Sequence, residues 1–339
     1  MADYFLVLNP YADRWGADKT WPRLEAVLKA RQVDYEVVRT EEPGHGIALA
    51  YEAARSGRYR AIVAVGGDGT VNEVANGLCR AATNGTTLPM GIFPVGSGND
   101  LAEVLRIPRD LEGMVEHLLQ DRRRLLDAGL VQSPGLSGVN QGGRYFVNNC
   151  GIGFEAQVSL ESRRISRCRG FLIYLVAVFR ALYRYVQPYV RVRWDGKARE
   201  GRMLLITVGN GRRTGGGFWL TPFAEVDDGQ LDVGFAKALS RPGILRLLPK
   251  AIKGEHIYDP AILLDRFRRM VVQTDVPVPI HTDGEPITAG VQEIEVQVLP
   301  GKVWVVADPD VPLLDVFQGH GPSSEQFLFS QQETHRSSR

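Results

Sequence analysis

The sequence predicts an α/β-plus-β fold: an N-terminal parallel α/β domain followed by a mainly antiparallel β domain. Three observations predict it. Short apolar runs at 4–8, 35–38, 61–65 and 90–94 recur about every thirty residues, with helical-period segments between them. Two of these runs end in glycine-rich turns, Gly66-Gly67-Asp68-Gly69-Thr70 and Gly96-Ser97-Gly98-Asn99. Beyond a Ser/Pro/Gly stretch at 133–138, strand candidates follow one another across glycine turns.

In order, the strand at 4–8 leads through Asn9-Pro10 to a helix at 21–31, and the strand at 35–38 reaches Thr40. A helix at 47–55 stops at Gly57. The strand at 61–65 runs into the first glycine turn, and Val71, Val74 and Leu78 then mark a helix over 71–82. The strand at 90–94 meets the second turn. A helix near 110–119 and a strand near 125–131 close the unit. In a parallel sheet, ligands gather beyond the carboxyl ends of the strands. Asn9-Pro10, Thr40, 66–70 and 96–100 therefore share one rim.

The second part reads as strands at 145–149, 190–194, 203–208, 231–236, 270–274 and 293–299, with a last strand at 301–307. The expected division is 1–131, 132–307, a segment at 308–317 packing back on the first domain, and a polar, disordered tail at 318–339.

With 40 basic and 39 acidic residues, net +1, the chain has no global charge suited to nucleic acid. The start lacks the basic-then-apolar order of a secretory signal, and the longest apolar run, 171–179, has nine residues, whereas a bilayer-spanning helix takes about 20. Three cysteines (Cys79, Cys150, Cys168) without CxxC spacing suggest neither disulfides nor zinc, so a reducing cytoplasm is expected.

Glycine permits positive φ and leaves no side chain to block an approaching phosphate, while a helix N-terminus favours an anion. The first turn is neither a P-loop nor GxGxxG. Read alone, Asn99 or Asp100 is equally an N-cap, His281-Thr282-Asp283-Gly284-Glu285 a hairpin turn, and Asp227-Asp228-Gly229 either a turn or a cation loop. No histidine is assigned catalysis; His281 reads as core-edge or solvated.

Gly66–Thr70 is similar to the GGDGT signature shared by diacylglycerol, sphingosine and NAD kinases. Further motifs narrow the resemblance. Asn148-Asn149-Cys150-Gly151-Ile152-Gly153-Phe154-Glu155-Ala156 resembles N-x-x-G-x-G-x-D-A, with Glu155 in the aspartate position. Gly170-Phe171-Leu172-Ile173-Tyr174 resembles a G-x-x-x-Y helix start. Gly215-Gly216-Gly217, Pro222 and Asp227-Asp228-Gly229-Gln230-Leu231-Asp232 resemble GGG…P…DDGxLD, and Asp283-Gly284-Glu285 resembles DGE. Over roughly 4–307 the chain resembles the bacterial diacylglycerol kinase-like lipid kinases. The loop Asn9-Pro10-Tyr11-Ala12-Asp13-Arg14-Trp15-Gly16 departs from the family's small, glycine-rich version; Arg14 is a candidate for its missing positive charge.

The resemblance implies a Rossmann-like nucleotide domain, a β-sandwich domain and an active site in the cleft between them. It implies ATP and Mg²⁺ as cofactors and a lipid hydroxyl, diacylglycerol or a relative, as acceptor. It places nucleotide contacts at Asn9, Thr40, Gly66, Gly67, Asp68, Gly69, Thr70, Val71, Asn72, Ser97 and Asn99. Glu285 is the expected base, with Asp68 the rival base or Mg²⁺ holder. A structural Mg²⁺ is implied at Glu225, Asp228 and Gln230. NAD kinase and a non-catalytic nucleotide- or lipid-binding protein are the alternatives.

Residues 160–200 carry ten basic against three acidic residues, a net of about +7, around the apolar run 171–179. Either this helix packs on the second domain with solvated arginines, or 163–184 rests on an anionic bilayer. The expectation is a cytoplasmic protein touching membranes transiently, with an exposed sheet edge that allows a homodimer.

Overall fold

The computed structural model describes residues 2–82, 85–165 and 171–317. Its first part alternates β1 (Tyr4–Leu8), α1 (Gly16–Ala30), β2 (Tyr35–Arg39), α2 (His45–Ser56), β3 (Ala61–Gly66), α3 (Asp68–Ala81) and β4 (Met90–Pro94). There follow α4 (Asp100–Val104), α5 (Leu111–Gln120) and β5 (Arg123–Gln132). The strands β2-β1-β3-β4 are parallel neighbours. β1, β3 and β4 are buried throughout, as strands covered on both faces must be. On one face α1 and α5 bury Trp21, Leu24, Leu28, Met114 and Leu118. On the other, α2 and α3 bury Ala50, Val74 and Leu78. α1 starts earlier than its apolar period shows, because Asp13, Arg14 and Trp15 turn left-handed into it.

The second part holds β6 (Arg144–Phe146), β7 (Asn149–Gly153), α6 (Phe154–Arg163), α7 (Phe171–Arg184), β8 (Tyr189–Trp194) and β9 (Lys197–Gly209). Then come β10 (Leu231–Lys237), α8 (Arg241–Ile252), β11 (Ile262–Phe267), β12 (Arg269–Thr282) and β13 (Glu285–Val306). Pairing is antiparallel in the order β11-β10-β9-β7-β12-β13, with β8 joining β9 to β12. These strands fold as a β-sandwich-like body around Phe146, Phe235, Phe267, Val272 and Ile280. α6, α7 and α8 cover its outer side over a separate apolar cluster.

β13 joins the two parts. It pairs with β12 from Glu285 to Gln297, with β5 from Glu295 to Val306, and with Met90 of β4 through Val305. The strands expected at 293–299 and 301–307 are thus one, continuing past Pro300 through a register shift. The single strand expected at 145–149 is two, because the Val147 and Asn148 amides leave the ladder for the Asp283 carboxylate. Of the segment 308–317 expected to pack on the first domain, Leu313 enters that domain's core and the Leu314 amide donates to Val104 O at 2.9 Å, but Phe317 stacks on Phe223 of the second part. The expected tail at 318–339 lies outside the described residues, as do Arg167, Cys168 and Arg169.

Candidate active site

β3 and β4 end side by side at Gly66 and Pro94, so the turns that follow them meet. A β-carbon on Gly96 would fall 2.2 Å from the Gly67 Cα, so backbone packs directly on backbone. Asp68 fastens the turns together: its Oδ2 accepts from the Asn99 amide and its Oδ1 from the Asp100 amide, both at 2.7 Å. Asn99, at φ 58°, accepts from the Gly96 amide at 3.1 Å and donates to its carbonyl at 2.7 Å. α3 begins here with no side chain capping it. The Thr70 and Val71 amides donate to Gly67 O at 2.9 and 3.1 Å, and the helix dipole still favours an anion at this end.

Over these turns lies an open cleft of about 350 Å³. Its floor is 67–70 and 96–98; its opposite wall is Asn148, Asn149, the turn 214–216 and Glu285. Ser159 Oγ donates to Gly284 O at 2.5 Å, fixing the turn before Glu285 to α6. The Glu285 carboxylate pairs with Arg163, and its Oε1 stands where a β-carbon of Gly69 would come within 2.6 Å. Glu285 and the glycine turn of the first domain therefore touch.

Asp283, next in the chain, is buried and acts as a staple. It accepts from Asn72 Nδ2 at 2.7 Å and from the amides of Val147, Asn148 and Asn149 at 3.1, 2.9 and 2.8 Å. Asn72 in turn accepts from Arg144 Nη2 at 2.6 Å and donates to Tyr145 O at 3.1 Å. This network ties α3 to β6 and β7. Burial lowers the buried Arg144 guanidinium to about 10.

Burial raises the carboxyls of Asp68 and Asp283, each against the hydrogen bonds that favour its anion. Asp100 is pushed up to about 7, first by burial and then by the Asp68 charge. The Gly216 amide, 2.8 Å from its Oδ2, and Arg213, 3.3 Å from its Oδ1, oppose that rise. Asp100 thereby links the second glycine turn to the 214–216 turn across the cleft.

Of the residues implied for nucleotide, Asn9, Gly67, Asp68, Gly69, Thr70 and Ser97 line the cleft. Asn9 Nδ2 also donates to Thr70 Oγ1 at 3.0 Å. Gly66, Val71 and Asn99 shape the turns from behind. Thr40 and Asn72 lie outside the lining: Thr40 is buried with its amide on Leu8 O, and the Asn72 side chain is consumed by the staple. Arg14 donates to Ile165 O at 3.0 Å, joining the bulky first loop to the end of α6.

The 225–230 loop lies away from the cleft, beside β5. Asp127 accepts from the amides of Gly229 and Gly301 at 2.6 and 2.7 Å. Glu225 pairs with Arg212, and Asp228 accepts from the Gln230 amide at 3.0 Å. Among the described residues no three acidic, histidine or cysteine side chains converge on a point. A cation at Glu225, Asp228 and Gln230 therefore needs backbone carbonyls as ligands.

Next to the cleft, sharing Thr214 with it, is a half-open chamber with almost entirely apolar walls and about 90 Å³ of internal space. Phe154 and Val158 of α6, Val178 of α7, and Leu247 and Leu248 of α8 form part of it. Sequence reasoning missed this chamber, because its walls come from six elements spread over a hundred residues. It also gave no role to Ser159, Ser162 or Thr214. The Asn148-Asn149 and triple-glycine motifs were the available signal, and both lie on the cleft wall.

Residues 3–131 match the diacylglycerol kinase catalytic domain, and residues 148–307 match the YegS C-terminal NAD kinase beta sandwich-like domain. A diacylglycerol kinase of Staphylococcus haemolyticus (strain JCSC1435) is 27% identical over 83% of this chain and 81% of its own length. One from Staphylococcus aureus (strain MRSA252) is 26% identical over 83% and 85%. A Bacillus anthracis str. Sterne protein, whose crystal structure carries the provisional name of diacylglycerol kinase, superposes at TM-score 0.71. It covers 91% of this chain and 98% of that one at 23% identity. Yeast NADH kinase complexed with NADH shares the fold at TM-score 0.51 and 11% identity, over 91% and 84% of the two chains.

Proposed function

The chain belongs to the bacterial diacylglycerol kinase-like family, and from that premise we propose that it transfers the γ-phosphate of ATP to a lipid hydroxyl. The observation that carries this reading is the pairing of two spaces: a glycine-floored polar cleft holding Glu285, and an apolar chamber opening beside it. A phosphate donor suits the first, and the hydrocarbon of a lipid the second. A dinucleotide acceptor, as in the NAD kinase alternative, leaves the chamber without use.

The bare backbone at Gly67 and Gly69 and the uncapped start of α3 receive the triphosphate. The Asp68 carboxylate, held by backbone amides, lines the cleft, which suits Mg²⁺ held through water. Mg²⁺ supplies neutralisation of the charge that spreads over the transferred phosphoryl group. Glu285, beside Gly69, takes the proton of the acceptor hydroxyl as the new bond forms. Arg163, its partner in the resting site, sets a cation beside that event. Diacylglycerol or a relative is the acceptor, giving phosphatidic acid or the corresponding lipid phosphate.

Access to a membrane-held acceptor falls to α7. The helix buries Ala177, Val178, Ala181 and Leu182 against the second domain and exposes Leu175, Phe179 and Tyr183 at four-residue spacing. Arg180 and Arg184 are exposed with them, which suits peripheral, reversible contact with an anionic bilayer. Among the described residues no helix is long and apolar enough to cross a membrane.

The test is label transfer from γ-labelled ATP to a panel of lipids and NAD. Label in a lipid phosphate upholds the reading. Label in NAD, or in nothing, overturns it. Glu285→Gln should keep nucleotide affinity and lose turnover by on the order of 10²-fold or more.

A further inference from the structure

The chamber has one group out of keeping with its walls. Glu155, in the first turn of α6, is 5% exposed and lines the apolar space, yet its Oε2 has no hydrogen-bond partner. An unpartnered carboxylate oxygen in an apolar wall costs folding free energy unless a ligand makes use of it.

The rest of the carboxylate is firmly held. Oε1 accepts from Asn149 Nδ2 at 2.9 Å and from Thr214 Oγ1 at 3.4 Å. His281 Nε2 lies 3.1 Å from the same oxygen. The Gly284 amide donates to His281 Nδ1 at 3.2 Å, so a neutral ring carries its proton on Nε2, which faces Glu155 without completing a hydrogen bond. Gly151 makes this meeting possible: a β-carbon there would fall 2.3 Å from His281 Nε2 and 2.7 Å from the Glu155 carboxyl carbon. Asn149 and Thr214 also line the polar cleft. Glu155 therefore sits at the neck where cleft becomes chamber, one oxygen anchored and the other free.

One neighbouring orphan agrees in kind. His256 lines the chamber with Nε2 on Leu220 O at 3.2 Å, leaving Nδ1 without a partner; burial lowers its ring to about 4, so Nδ1 accepts. Thr207, paired with Gly151 across β7 and β9, also has an unpartnered hydroxyl in the lining. Glu155 Oε2 and His256 Nδ1 are acceptors that ask for donors, while the Thr207 hydroxyl both accepts and donates.

We propose that Glu155 is a specificity-determining residue that binds an N–H or O–H donor of the acceptor lipid, in addition to the hydroxyl presented to Glu285. This rests on the lipid-kinase reading and narrows its acceptor. Diacylglycerol offers only ester oxygens besides its reacting hydroxyl, and these accept; beside a carboxylate oxygen they gain nothing. A lipid with an amide N–H or a second free hydroxyl satisfies Oε2. The preferred acceptor is thus an N-acylated or monoacylated polyol lipid rather than a diacylated one.

The experiment compares dioleoylglycerol, monooleoylglycerol and N-oleoyl sphingosine in one detergent micelle, with labelled ATP and Mg²⁺. Wild type should favour at least one donor-bearing lipid by about tenfold or more in kcat/KM, the worth of a hydrogen bond to a charged group. Glu155→Leu should reduce that ratio to within about threefold. In Glu155→Gln the amide oxygen keeps the place facing Asn149 and the NH₂ faces the chamber, so the ratio should shift toward dioleoylglycerol. Equal or better use of dioleoylglycerol by wild type, or an unchanged ratio in Glu155→Leu, overturns the proposal. If Glu155→Leu fails to fold, Glu155→Gln decides the matter, since it keeps the Oε1 anchor. If no lipid gains label, the kinase reading fails; the wild-type binding ratio of fluorescent forms of the same lipids then upholds or overturns the role of Glu155.

Discussion

Glu285 closes over Gly69 so nearly that a β-carbon on the glycine would stand 2.6 Å from the glutamate Oε1. The contact joins a DGE turn near the end of the chain to the first turn of α3. Gly69→Ala is therefore an informative substitution. Alanine suits a helix start, and the colliding atom is the tip of a flexible side chain, so stability should change by under about 1 kcal/mol. The displaced carboxylate, by contrast, should cost about ten- to a hundredfold in turnover. Thermal melts with steady-state kinetics check this; a large fall in melting temperature would mean the collision is absorbed by backbone instead.

Asp68 is bonded through both oxygens to the amides of Asn99 and Asp100. If it served only a metal, Asp68→Asn would lose activity and leave the fold alone. The geometry says otherwise, because the asparagine NH₂ must face one of two backbone donors. A buried donor facing a donor costs about 1–3 kcal/mol, and the two glycine turns should part. The expected result is a matching loss in urea-unfolding stability together with weaker ATP binding by calorimetry. Unchanged stability would return Asp68 to a purely ligand-facing role.

The relation between sequence and structure differs by region, for physical reasons. β1, β3 and β4 were legible nearly to the residue, since each is a short apolar run stopped by Asn-Pro, glycine or Pro-Val, and β2 showed by its alternation although it runs into Thr40 without such a stop. β12 and β13 were seen only in pieces: Pro277, Pro279, Pro286 and Pro300 interrupt a period that the folded strands carry through register shifts. α8 was missed although Ser240-Arg241-Pro242 announces it, with Ser240 Oγ accepting from the Gly243 amide and proline near the first helical position. Within the site, the glycine turns and Glu285 were legible as motifs. The bond from Asn72 to Asp283 spans 211 residues, and no local pattern encodes such a contact. Asn72 was thus read as a phosphate ligand when its amide is committed to the join between the domains.

Asp232, buried at the start of β10, is raised from 3.8 to about 7, chiefly by burial; Asp228 and Glu225 add to the rise, while Arg266 and Arg212 oppose it. Between those two values the folded protein keeps a proton that the unfolded chain releases, so rising pH favours unfolding. The group's contribution to stability is greatest below 3.8, declines toward 7 and is level beyond. Asp232→Asn removes this slope. The stability of wild type minus that of the variant should fall by on the order of 2–4 kcal/mol from pH 4 to 7, read from urea titrations at each pH. A constant difference would show that the carboxyl titrates alike in both states.

The membrane reading of α7 predicts an effect separable from the active site. Arg163 is a poor probe, since it also pairs with Glu285, and reversing its charge would disturb both. Phe179 and Tyr183 are better: they are 52% and 80% exposed, while the apolar face that packs inward is carried by Ala177, Val178, Ala181 and Leu182. Replacing both with Asp leaves that packing untouched, so stability should hold within about 1 kcal/mol. Two buried aromatic side chains lost from a bilayer contact, with two negative charges set against anionic lipid, should weaken vesicle binding by about tenfold or more. Sedimentation with phosphatidylglycerol vesicles reads the binding directly. Turnover of a short-chain acceptor below its micelle concentration should be unchanged, because α7's outer face does not touch it. Vesicle binding equal to wild type would leave the outer face of α7 a solvated surface and require another route to the acceptor.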